Sequence, residues 1–192
     1  TRVAAMWRWL AITRSHISIA YRSSKLLRRF LFISWIPLVY FAPVFLAVGW
    51  VADPTNDLSQ GGPLAAIADE LLPGPLLNEL RANPDAILPG IWAILFYFYF
   101  AFCQSVAALI TVAIVSPPLI ARDLRSKAYL LYLSKPISAL DYLVGKLGVT
   151  LFFLFVITLF PALLLYIISV ALSPNIETVI ATSPILLRIF MA

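Results

Sequence analysis

Residues able to do bond-making chemistry are sparse in this chain, which holds one histidine, one cysteine and nine Asp and Glu among 192 residues. His16 stands between Arg14 and Arg22, and Cys103 lies inside an apolar run with no second thiol. A general base needs a substrate proton within reach, so a lone histidine beside arginines reads as an interface side chain. Cys103 reads as a small hydrophobe. There is no G-x-x-x-x-G-K-[ST] loop to cradle a triphosphate, no H-E-x-x-H and no Cys/His zinc spacing. The expectation is a non-enzyme that itself binds no cofactor and no metal. Charge gathers instead in residues 117–146, where Arg122, Arg125, Lys127, Lys135 and Lys146 stand with Asp123 and Asp141. The chemistry open to such a segment is docking by charge, not catalysis.

The elements that position this segment follow from composition. The chain is 62% hydrophobic and 12% charged, against roughly 45–50% and about 25% for a soluble domain. A soluble fold is excluded. Three uncharged runs are long enough to cross a bilayer, at residues 30–52, 90–116 and 147–172. Between Ile91 and Val115 stand 13 Leu, Ile, Phe and Val residues. They favour insertion by roughly 4–8 kcal/mol, with no charge opposing. The predicted class is an all-α integral membrane protein with three complete spans.

Basic residues set the predicted orientation. Residues 1–29 carry seven bases and no acid, whereas residues 53–89 carry six acids against Arg81 alone. The 117–146 segment is basic again. Lys and Arg stay on the cytoplasmic side, so the N-terminus and the 117–146 segment are expected inside, in a cell membrane crossed several times, and the acidic loop outside. The first apolar run is too long for a cleaved signal. Within residues 1–29, Val3, Met6, Trp7, Leu10, Ile17 and Tyr21 share a helical face, but Arg14 shares it too. Two readings stay open: a basic anchor beside the membrane, or an amphipathic helix lying in the interface.

Six prolines punctuate the 53–89 loop, and Pro73-Gly74-Pro75 separates two short predicted helices, 64–72 and 76–82. After the 173–184 loop, residues 185–192 read as the outer start of a fourth helix, so the chain looks like the first part of a longer polypeptide. Pro117-Pro118 are expected to close the second span by removing amide donors. A helix of about four turns should follow from Leu119 to Leu133, broken at Ser134-Lys135-Pro136, with Ser138 capping the next. Leu124, Tyr129, Leu130, Leu131, Tyr132 and Leu133 make this more than a solvated loop. Such apolar side chains need a partner surface or the membrane interface.

Leu119-Ile120-Ala121-Arg122-Asp123, then Tyr129 through Ser138 (YLLYLSKPIS), then Tyr142-Leu143-Val144-Gly145-Lys146-Leu147 resembles the first cytoplasmic loop of permeases of type-2 ATP-binding-cassette exporters. Asp123 stands where Glu is commoner, and Lys127-Ala128-Tyr129 replaces a Gly-Thr step. The basic N-terminal segment is similar to that family's elbow helix. The resemblance implies that residues 119–136 form a coupling helix docking on a separate nucleotide-binding subunit. Arg122, Asp123, Arg125 and Lys127 would then steer and orient, Tyr129, Leu130 and Leu133 would pack, and Lys135-Pro136 would fix the turn. It also implies ATP and Mg on that partner, a second permease half, identical or different, and an alternating-access mechanism. Membrane lipid is the remaining expected partner, and no nucleic acid is expected. The rival reading is a membrane anchor or assembly factor that recruits a soluble partner without transport.

Among the polar residues inside the spans are Gln104, Ser105 and Thr111 in the second and Thr150 and Thr158 in the third. They either tie helices together or line a path. Pro37, Pro43 and Pro161 are candidates for kinks.

Overall fold

A computed structural model describes residues 8–53, 55–57, 61–125, 139–173 and 175–191. Among them every regular element is helical and no strand occurs. In chain order these are α1 (Arg8–Ser23), α2 (Lys25–Ile33), α3 (Ile36–Ala52), α4 (Gly62–Leu71), α5 (Gly74–Ala82), α6 (Pro84–Phe98), α7 (Ser105–Arg125), α8 (Ala139–Leu154), α9 (Phe160–Ala171) and α10 (Ile176–Met191). Two π-helical turns, Tyr99–Gln104 and Phe155–Leu159, join α6 to α7 and α8 to α9. Three helical stretches are long and apolar enough to cross a membrane: Lys25–Ala52, Pro84–Ala121 and Leu140–Ala171.

Local chemistry explains where the helices break. Ser24 is extended and its hydroxyl accepts from the Leu27 amide at 3.1 Å, capping α2 and separating it from α1. Ser34 ends α2, and α3 restarts with Pro37 in its first turn. Proline suits a first turn because its missing amide has no partner there to lose. Pro37 therefore restarts a helix, while Pro43 stays inside α3 and Pro161 follows the second π turn within a stretch that stays helical from Leu140 to Ala171.

The chain divides into two compact units, residues 1–34 with 106–158, and residues 35–105 with 159–192. Each long stretch passes from one unit to the other at an irregularity: the Ser34–Trp35 turn or the end of a π turn.

In the first unit, Leu27, Val115, Leu119, Val149 and Phe153 form a buried cluster, with Ile17, Ala20, Leu31 and Ile114 packed on it. Helix α1 follows the start of α8 closely. The Thr13 hydroxyl donates to the Gly145 carbonyl at 3.0 Å. Gly148 leaves the room: a Cβ there would lie 2.9 Å from Thr13 Oγ1. The N-terminal segment is helical over Arg8–Ser23, with Thr13 and His16 buried and Leu10, Ile19 and Tyr21 exposed.

In the second unit, Phe45 stacks on Trp92 at 4.9 Å and meets Phe96 edge-on, and Phe41 meets Tyr99 edge-on. Gly49 lets α3 approach the end of α9, where Leu172 sits. The short helices α4 and α5 lie against α3 and bury Ala68, Leu77 and Leu80. Gly62, at φ 50°, makes the turn into α4.

Candidate functional site

Helix α7 does not stop at Pro117-Pro118. It runs through both prolines to Arg125, which corrects the expectation that they end the helix. Each proline inside a helix costs about 3 kcal/mol through a lost amide donor and a clash with the preceding turn. Contacts on both sides of the pair offset this. Val115 and Leu119 are buried in the first unit's cluster. Ser116 Oγ meets Thr150 Oγ1 at 3.3 Å, and the Lys146 ammonium donates to the Leu119 carbonyl at 3.1 Å. A hydrogen bond from a charged donor contributes about 1.5–3 kcal/mol.

Lys146 is thus more than a charge marking one side of a membrane. Its side chain is buried, and its ammonium lies 5.6 Å from the Tyr142 ring centroid. With Gly145 holding Thr13 of α1, two adjacent residues at the start of α8 tie down both α1 and α7. The apolar ridge and basic faces drew attention to the segment, but nothing in their spacing singled out Lys146 as the fastening.

The residues implicated in coupling divide into three groups. Arg125 is exposed at the last position of α7. Arg122 and Asp123 belong to the final turns of the same helix. Lys127, Tyr129, Leu130, Leu133, Lys135 and Pro136 lie outside the described residues, as does Ser138. Helix α8 begins at Ala139 with Asp141 in its first turn.

Most polar residues of the spans satisfy themselves locally. Ser105, Thr111 and Thr158 each donate to the carbonyl four residues earlier, at 2.6, 2.7 and 2.7 Å. Thr150 meets Ser116. Gln104 differs. It closes the first π turn, is fully buried, and its amide nitrogen donates to the Tyr99 hydroxyl five residues back at 2.5 Å. That spacing matches the i to i+5 hydrogen-bond register of a π turn. Its Oε1 has no partner, and neither has the indole Nε1 of buried Trp92. An unpaired buried polar atom costs about 1–3 kcal/mol. The π turns therefore place the one irregular polar group of the second span in the second unit's core.

Two features of the second unit were not foreseen from the sequence. Asp85, in the first turn of α6, accepts from Asn175 Nδ2 at 2.8 Å and from the Thr178 hydroxyl, fixing the start of α10 beside the start of α6. Farther along, Arg188 of α10 lines a cleft against α6. No group of three His, Cys, Asp or Glu gathers among the described residues. No family model, curated protein or solved structure matches the chain.

Proposed function

We propose that this chain is the permease subunit of an ATP-binding-cassette exporter. Its N-terminus and 117–146 segment would face the cytoplasm, and a separate ATPase would dock on the 119–136 region. Helix α10 would be the outer start of a fourth span within a set of six. Three helices cannot enclose a path, so the further spans and a second permease half, identical or different, would complete it. ATP and Mg would be held by the partner, and this chain would make and break no bonds.

One observation carries the reading. The second span continues without a break past its prolines to Arg125, and its extension is bolted to the third span through Lys146 and Leu119. A push at Arg122 or Arg125 would move α7 and α8 together instead of bending a loop. A loop whose only task is to set topology needs no such fastening. The basic charge, the apolar residues beyond Arg125 and the family resemblance supply the partner's nature.

Charge reversal tests the assignment. In the full-length protein reconstituted in vesicles with its ATPase, Arg122→Glu with Arg125→Glu should leave ATP hydrolysis running while export stops following it. Unchanged coupling would remove the docking role from this helix.

A further inference from the structure

We propose that Arg188 and the cleft beside it bind an acidic phospholipid, headgroup at the arginine and acyl chain along the cleft. The cleft holds about 200 Å³ and is lined by Phe96, Tyr97, Phe100, Ile185 and Ile189, with Arg188 as its one charged member. Helices α6 and α10 run side by side from the Asp85–Thr178 tie. Arg188 follows Thr178 by ten residues, so its backbone lies about 15 Å farther along the helix, at 1.5 Å per residue. That depth is beside Tyr97, well within the apolar run that begins at Gly90.

A guanidinium at such a level demands a counter-charge, because hydrocarbon solvates it poorly and it stays charged. Among the described residues Arg188 has no ion pair or hydrogen bond. Every acid of its unit stands outside the long apolar runs: Asp53, Asp57, Asp69, Glu70, Glu79, Asp85 and Glu177. Asp85, the one that joins α6 to α10, is already taken by Asn175 and Thr178.

Geometry favours a lipid over a free anion. Arg188 is the one charged residue in a lining of aromatic and branched side chains. A cationic group beside an apolar cleft matches an amphiphile. Arg188 and Tyr97 are both exposed, so the cleft opens sideways, where an acyl chain can enter. The inference needs membrane insertion but not transport.

The test uses the full-length protein in vesicles doped with phosphatidylglycerol or phosphatidylcholine, each carrying the same photoactivatable acyl chain, with cross-links mapped by peptide mass spectrometry. Labelling of residues 93–100 and 185–191 should favour the acidic lipid about fivefold, the ratio one arginine gives with an anionic headgroup. Arg188→Gln should abolish that preference, and Arg188→Lys, which keeps the charge, should retain most of it. Equal labelling by the two lipids in the unaltered protein would overturn the proposal, as expected if a carboxylate of another helix neutralises Arg188. So would a preference that survives Arg188→Gln. Millimolar inorganic phosphate should leave the labelling unchanged; displacement would assign the site to a free anion instead.

Discussion

Gly49 offers the sharpest test of how the second unit packs. A Cβ at this position would fall 2.5 Å from Leu172 Cβ and 2.8 Å from its Cδ1, whereas carbon atoms rest at about 3.5–4.0 Å. Rotating Leu172 can move Cδ1 away but not Cβ, so α3 and α9 must part by about 1 Å at this point. Overpacking of this kind costs about 1–3 kcal/mol. Replacing a helical glycine by alanine returns about 1 kcal/mol. Gly49→Ala should therefore destabilise by about 1 kcal/mol net and lower the melting temperature by about 2–4 °C, on the scale of a chain this long. Gly90 is the internal control. It also lies inside a helix, but a Cβ there meets nothing within 4 Å, so Gly90→Ala should raise the melting temperature. Leu172→Gly removes the obstructing atom at a helix C-cap, and in that background Gly49→Ala should cease to destabilise. Thermal unfolding of the four variants in mild detergent measures all of this. A Gly49→Ala protein as stable as Gly90→Ala, or a penalty untouched by Leu172→Gly, would refute the close approach of α3 to α9.

Three further outcomes follow from the same reasoning. Gly148→Ala should push Thr13 off the Gly145 carbonyl and speed amide exchange in α1, since the added Cβ would lie 2.9 Å from Thr13 Oγ1; unchanged exchange would mean that α1 is held elsewhere. Because Cys103 is the only cysteine, a Cys103→Ser background allows Arg125→Cys and Glu70→Cys to be tested with an impermeant maleimide. The two exposed positions should label from opposite sides of the membrane, and labelling from one side would overturn the proposed topology. Asp53 has its carboxyl held below the ordinary range by the Thr55 hydroxyl and then the Thr55 amide. A depressed pKa stabilises the turn above the ordinary carboxylate range and loses that contribution as pH falls through the folded value. Thr55→Val should thus raise Asp53's titration midpoint, read by carboxyl carbon NMR; an unmoved midpoint would dismiss the hydroxyl as its cause.

How far the sequence carries depends on whether a feature is local. The three long apolar stretches are local, because about twenty consecutive apolar residues suffice to define one, and the described residues include three such helices. The break before Pro37 is visible as a proline, but not as the restart of a helix. Pro117-Pro118 misled for a definite reason: local propensity says stop, while Val115, Leu119, Ser116 and Lys146 keep α7 going through partners some thirty residues away. The π turns leave no mark in residue type, since an inserted residue in a helix of Phe and Tyr looks like any other. Gln104 was noticed as polar, yet its unpaired Oε1 depends on the packed core. Asp85 reaches Asn175 and Thr178 across 90 residues of chain, which no pattern reveals. At the candidate docking segment, residue types suggested a partner surface, and the described residues add the helix that leads to it.

The central claim is that an ATPase works through this chain. Purifying the full-length tagged protein from its own host in mild detergent and measuring ATP hydrolysis in the product tests it most directly. The account predicts a stoichiometric nucleotide-binding subunit and a complex that hydrolyses ATP. A protein that purifies alone, or with a soluble partner lacking ATPase activity, would contradict it and favour a membrane anchor.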